Sequence, residues 1–239
     1  MRLSILTLFP ELFEPFFTTS IVGRAVAKEQ ISYDLVQIRD FAHDLHRHVD
    51  DKPFGGGAGM VMKCQPALDA IDSVRTDDSY VILLAAGGKP YTQQKAHELA
   101  KKKHLVFLCG HYEGVDERIV ERCDEELSIG DYVLTGGELG AMVIADSVVR
   151  LLPGVIRSDS IQEESYENDL LEYPQYTQPA VYEGEAVPEV LLSGHHENIR
   201  KWRLTQSLLK TRERRPDLFA RHALSKEERK LLEAADQEE

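Results

Sequence analysis

The residues best placed by type and spacing to do chemistry fall in one stretch, His104 to Gly140, which reads HLVFLCGHYEGVDERIVERCDEELSIGDYVLTGGELG. Gly110 ends an apolar run from Leu105 to Cys109, so a buried strand delivers its C-terminal end into a glycine-bounded loop. Open α/β sheets bind ligands at such strand ends. A second loop, Ser128 to Glu138, sets Gly130, Gly136 and Gly137 among Asp131, Tyr132, Glu138 and apolar residues. Lacking a Cβ, these glycines let main-chain amides and carbonyls come close to a bound molecule. One glycine alone would be turn punctuation; two such loops close together in sequence point to a binding site.

Two other constellations carry less. His43, His46 and His48 precede Asp50 and Asp51 and then Gly55, Gly56, Gly57 and Gly59. Their spacing matches no closed ligand set, so no metal is expected, and no Gly-Lys-Ser/Thr follows to make a phosphate loop. The segment reads either as a flexible surface loop or as a loop that must pass close to a ligand or a partner chain. Cys64, Cys109 and Cys123 have no paired spacing, which suits a reducing compartment and core thiols rather than a disulfide framework. No base stands beside Cys109 in sequence to activate it.

The elements that position these loops follow a β-α-β rhythm, which predicts an α/β fold. Strands are expected over Arg2–Phe9, Ile31–Ile38, Tyr80–Ala86 and Leu105–Cys109. Helices are expected over Ile21–Lys28 with Ser20 as N-cap, then Gln65–Val74, a segment starting at Thr92 and reaching Lys103, Val115–Cys123, and Glu138–Leu152. On the last of these, Met142, Ala145, Val149 and Leu152 share a face directed at the core. After Val155 the chain becomes acidic and loses periodicity, so the expected organisation is a first domain over 1–156, a linker over 157–172 and a mostly helical module over 173–239. In that module Ile199, Trp202, Gln206 and Leu209 fall on one side, and Ser225 with Glu228 makes a capping box.

With 239 residues, 42% of them hydrophobic, the chain can bury a sizeable core. No apolar run is long enough to span a membrane, and the apolar start lacks a signal-peptide cleavage pattern, so a cytoplasmic protein is expected. A net charge of −13 argues at first against nucleic acid. Its distribution argues the other way: Asp159 to Glu189 holds nine acidic residues and no Lys or Arg, whereas His195 to His222 holds eight Lys or Arg against three acids.

The wording CGHYEGVDER followed by SIGDYVLTGGEL resembles the signature of the bacterial tRNA (guanine-N1)-methyltransferases. So do LTLFPELF, HVDDKPFGGGAGM, IADSVVRLLPGV, LLEYPQYTQP and VLLSGHHENIRKWRLTQSLLKTRERRPDLF, in the same order over nearly the whole chain. The resemblance implies a deep trefoil knot in the first domain, which ordinary topology rules would exclude. It also implies S-adenosylmethionine as methyl donor, a homodimer, and tRNA methylated at guanine N1 of position 37, beside the anticodon.

Carried over by position, the cofactor residues implied are Leu84, Ala85 and Gly87; Cys109, Gly110 and Glu113; Ile129, Gly130, Asp131, Tyr132, Val133 and Leu134; and Gly136 and Gly137. In the first loop this chain has Ala85-Ala86-Gly87-Gly88 where many relatives carry a proline and a larger polar residue. Guanine N1 holds a proton at neutral pH, so the chemistry needs a base and a cation for charge developing at O6. The resemblance assigns the cation to Arg150 and the base to Glu164, one methylene longer than the usual Asp, with Asp169 as the alternative. Other readings are a related knotted methyltransferase acting on another RNA site and a non-catalytic RNA-binding relative.

Overall fold

The computed structural model describes residues 1–157 and 164–238. The chain divides into two compact units, Met1–Arg157 and Ser158–Glu239.

The first unit is built on five parallel strands, β1 (Arg2–Thr7), β2 (Ser32–Gln37), β5 (Ser79–Pro90), β6 (His104–Cys109) and β7 (Glu125–Ser128), in the order β2-β1-β6-β5-β7. A small antiparallel pair, β3 (Asp50–Asp51) and β4 (Val61–Met62), stands apart. Parallel strands need helical crossovers, and these cover both faces, which is why β6 is buried along its whole length rather than alternating. On one face Leu3, Ile5, Ile82, Phe107 and Cys109 belong to a core with α2 (Ser20–Ala27) and α6 (Glu138–Val149), and α1 (Glu14–Thr18) adds Phe17. On the other, Leu6, Val81, Leu83, Val106 and Leu108 belong to a core with α3 (Cys64–Val74). The polar residue that opens β6 is also satisfied: the two ring nitrogens of His104 lie 2.8 Å from Ser4 Oγ and 2.7 Å from Ser79 Oγ. Burial lowers its pKa, so the neutral ring is favoured.

Several boundaries differ from expectation for identifiable reasons. Thr19, extended at φ −118°, is the N-cap of α2, and Ser20 lies inside the helix at φ 54°. The helix expected over Val115–Cys123 contracts to one turn, α5 (Glu117–Val120), because Val115 is held extended in a bridge to Met62 and Asp116 becomes the N-cap, accepting from Arg118 N–H. Helix α4 (Gln93–Leu99) begins one residue after the expected start, with Thr92 as its N-cap, and stops short of Lys103. β5 runs past Ala86 to Pro90, interrupted by a register shift between Leu84 and Lys89.

The second unit contains β8 (Val181–Tyr182), β9 (Glu185–Ala186), α7 (Glu189–Leu192), α8 (His196–Arg214), α9 (Pro216–Phe219) and α10 (Lys226–Glu238). Its core gathers Leu170, Leu208 and Leu232. The buried residues of α8 are Ser207, Leu208 and Thr211, while Leu209, from the side that also carries Ile199, Trp202 and Gln206, packs half-buried against the same core. The segment before the helix draws the two hydroxyls inward: Ser207 Oγ donates to the Leu171 carbonyl, and Leu171 N–H donates to Thr211 Oγ1 at 2.8 Å. The capping box forms as expected, with Ser225 N–H donating to Glu228 at 2.6 Å and Glu228 N–H to Ser225 Oγ at 3.2 Å. Among the described residues no helix is long and apolar enough to cross a membrane.

Candidate active site

The C-terminal ends of β5, β6 and β7 lie side by side, and the loops leaving them enclose a cavity of about 390 Å³. The register shift in β5 makes its rim. Leu84 pairs with Leu127, residues 85–88 bulge out of the ladder, and pairing resumes at Lys89. The loop after β6 is locked to the loop after β7 by Gly137 N–H donating to the Gly110 carbonyl at 2.8 Å and by a bridge between His111 and Gly136. It is also strapped to the end of the glycine-rich segment, Glu113 N–H bonding the Met60 carbonyl and Met62 N–H the Gly114 carbonyl. The glycine-rich segment is thus part of the site's frame.

Two glycines meet a geometric need here. A Cβ on Gly137 would sit 2.8 Å from Cys109 Cα, and one on Gly136 would fall on Glu138 Oε2 and His111 Nδ1. Glu138, 5% exposed, begins α6 and accepts from Thr7 Oγ1 at 2.8 Å, so a hydroxyl from β1 fixes one oxygen of a buried carboxylate beneath the site. His111 packs between Phe9 and Tyr112, and its Nδ1 is buried with no hydrogen bond among the described residues. Tyr112 holds φ 65°, a left-handed conformation rare for an aromatic residue, of the kind that collects at binding sites. Burial and the neighbouring Asp50 push its hydroxyl pKa up.

Of the residues expected to meet a cofactor, Leu84, Ala85, Gly87, Gly110, Glu113, Ile129, Gly130, Tyr132, Val133, Leu134, Gly136 and Gly137 line this cavity. Cys109 lies beneath its floor, fully buried, and Asp131 is exposed outside the lining. Burial, then the Glu138 carboxylate, pushes the Cys109 thiol well above the usual thiol range, so it is protonated and inert at neutral pH. His111, Tyr112, Glu117, Glu126 and Gly140 also line the cavity, although the sequence singled out none of them. Adjacency to Gly110 was the one available signal for the first two. The charged lining residues are Glu113, Glu117 and Glu126, with no Lys or Arg. Such a wall favours a cationic ligand over a phosphate-bearing one.

The two residues expected to act on guanine lie elsewhere. Arg150 is the C-cap of α6. Glu164 belongs to the second unit, in a turn where its carbonyl accepts from Glu167 N–H, and Asp169 follows at φ 56°. Residues 158–163 of the expected linker lie outside the described residues. No three His, Cys, Asp or Glu side chains among the described residues cluster as a metal site would require.

The basic stretch on α8 is largely compensated on its own surface. Arg200 pairs with Glu197 and Glu227, Lys201 with Glu197, Arg212 with Asp236, and Arg215 and Arg221 with Asp217. These pairs are exposed and therefore weak, so phosphate can exchange for carboxylate at little cost.

Comparison with known proteins accounts for both units together. A relative from Clostridium botulinum (strain Kyoto / Type A2), named tRNA (guanine-N(1)-)-methyltransferase, is 55% identical over 234 residues, 97% of each chain. A protein of the same name from Ruminiclostridium cellulolyticum is 57% identical over 224 residues, 92% of this chain and 96% of its own. The family model described as tRNA (Guanine-1)-methyltransferase TrmD matches residues 1–221, spanning the strand-end cavity and helices α7 to α9 of the second unit. With that coverage, the chain belongs to the tRNA (guanine-1)-methyltransferase family.

Proposed function

We propose that the protein transfers a methyl group from S-adenosylmethionine to N1 of guanosine in tRNA, at position 37 beside the anticodon. Beyond family membership, the observation that carries this reading is the character of the strand-end cavity. It is bounded by glycines that expose main-chain groups and lined by Glu113, Glu117 and Glu126 with, among the described residues, no Lys or Arg. A sulfonium cofactor with an adenine edge to be read by amides and carbonyls suits such a wall, whereas a nucleotide triphosphate does not.

When bound, the cofactor supplies a methyl group already activated by its sulfonium. The chain's own residues must then unmask the guanine nitrogen. Glu164 accepts the N1 proton, and Arg150 stabilises the negative charge that moves towards O6. Residues 129–134 with Gly110, Gly136 and Gly137 hold the cofactor through the main chain, and Glu113 faces its positive charge.

Arg150 also bears on assembly. Ten residues along α6 separate it from Gly140, which lines the cavity, by about 15 Å along the helix axis. That is beyond the reach of an arginine side chain, so Arg150 acts on the cavity of a second copy. Leu139 and Val143, four residues apart on α6 and 58% and 48% exposed, provide an apolar face for the homodimer this requires. The reading includes the family's trefoil knot within residues 1–156, a linker over 157–172, tRNA contacts from 173–239 and a cytoplasmic location. The return of the loop after β7 across the end of β6 supports the first of these.

The test is direct. The protein is incubated with unmodified tRNA transcripts and labelled S-adenosylmethionine, and the RNA is digested in part to nucleosides, to identify the product, and in part to oligonucleotides, to map its position. The expected product is 1-methylguanosine at position 37; a methylated ribose, another base or unlabelled RNA refutes the proposal.

A further inference from the structure

The second unit contains a cavity of its own, about 400 Å³, inside the range of roughly 300–1,000 Å³ typical of ligand pockets. It is formed between the segment Tyr173 to Gln178 and helices α7 and α8. Its walls are planar groups. The Arg203 guanidinium lies over the Tyr173 ring, 4.7 Å from its centroid, and Tyr176, 49% exposed, tilts towards Trp202 with ring centroids 6.3 Å apart. Thr177 and Gln178 bring a hydroxyl and an amide to the lining, and Leu191 and Ile199 bring apolar surface. Among the described residues Arg203 is the one charged residue of the lining, in a protein whose net charge is −13.

We propose that this cavity holds one unpaired nucleobase of the RNA substrate, stacked on Tyr176 beside the Arg203–Tyr173 pair. The proposal rests on the reading of tRNA as substrate. Aromatic rings and guanidinium planes are the surfaces on which proteins stack bases splayed out of single-stranded loops, and amides and hydroxyls read base edges. The positive charge that Arg203 brings to the lining suits the adjoining phosphate. The position of Arg203 on α8 ties the cavity to the helix that carries the basic stretch.

The experiment uses the full chain and tRNA transcripts, intact or with one abasic substitution at each unpaired position in turn. Dissociation constants are measured at several salt concentrations. Tyr176→Ala weakens binding of intact tRNA by roughly 5- to 100-fold, the range expected for one lost base stack. Affinity for S-adenosylmethionine and the slope of tRNA affinity against salt stay unchanged. Tyr176→Phe retains wild-type binding, and Arg203→Lys, which keeps the charge but not the plane, loses affinity with the same salt slope. One abasic transcript binds the wild type with the same deficit and loses nothing more with Tyr176→Ala. If Tyr176→Ala has no effect, or weakens every abasic transcript by the same factor, no base occupies the cavity and the proposal falls. A change in oligomeric mass on Tyr176→Ala, with tRNA affinity intact, assigns the cavity to a protein interface instead. A wild type that binds no tRNA overturns the substrate reading, and this proposal with it.

Discussion

Residues differ in how far their chemistry shows locally. Gly110, Gly136 and Gly137 were legible as site residues because a backbone approach demands a particular residue type at a particular place. Glu164 and Arg150 were not, since an acid in an acidic stretch and an arginine at a helix end have ordinary reasons to be there. Only resemblance singled them out. Their roles are therefore tested at the level of single atoms. Glu164→Gln removes the proton acceptor while keeping size and hydrogen bonding, and single-turnover methyl transfer is expected to fall by about 10²–10⁴-fold. Binding of cofactor and tRNA stays near wild type, Glu164→Asp remains active, and Asp169→Asn is mild. Rapid-quench measurement decides: a fast Glu164→Gln with a dead Asp169→Asn moves the base to Asp169.

Elements were read well where one physical signal dominated. The unbroken apolar run of β6, the helix starting at Glu138 and the Ser225–Glu228 cap all stand as the pattern implied. Reading failed where tertiary bonds overrode local preference. The bridge from Val115 to Met62 shortened α5, and the bulge after Leu84 lengthened β5 beyond its apolar part. Neither partner is near in sequence. The two glycines at the cofactor loops separate fold from binding at this scale. A methyl on Gly110 meets the Leu84 carbonyl oxygen at 3.4 Å and Val115 Cγ1 at 3.5 Å, ordinary separations, whereas one on Gly137 comes within 2.8 Å of the Cys109 main chain. Gly137→Ala is expected to destabilise the fold by about 1–3 kcal/mol, the usual range for forced overpacking. Gly110→Ala keeps wild-type stability, and Gly110→Val, with two further methyls beside the cavity, weakens S-adenosylmethionine in the absence of RNA. Denaturant melts and calorimetry check both. A Gly137→Ala protein as stable as wild type would show that the loop can move away from Cys109 at no cost.

At the scale of the whole molecule, the sign of the net charge misled and its distribution did better; pairing with Glu197 and Asp217 could be read from their nearness in sequence, but that with Glu227 and Asp236 could not. Partners such as Glu227 and Asp236 come from a different helix, so a count along the chain misses them. Assembly entered through the resemblance alone, and the proposal that one copy completes the site of another rests on the length of α6, with Arg150 at the end far from the cavity. This has a consequence that mixing can test. Arg150→Ala spoils the residue a copy lends to its partner, and Gly110→Val spoils the cavity a copy keeps for itself. Each homodimer is expected to be nearly inactive at limiting cofactor. In a mixed dimer the Arg150→Ala copy still has a sound cavity, served by the intact Arg150 of the other copy, while the second site carries both defects. Random pairing of equal amounts, by co-expression with separate tags, thus restores about one quarter of the wild-type rate, because half the dimers are mixed and each has one sound site of two. Purified mixed dimers recover about half by the same symmetry. A mixed dimer with no more activity than its two parents would mean that Arg150 serves its own cavity, and the distance along α6 would have to be closed by a movement of the helix or its loops.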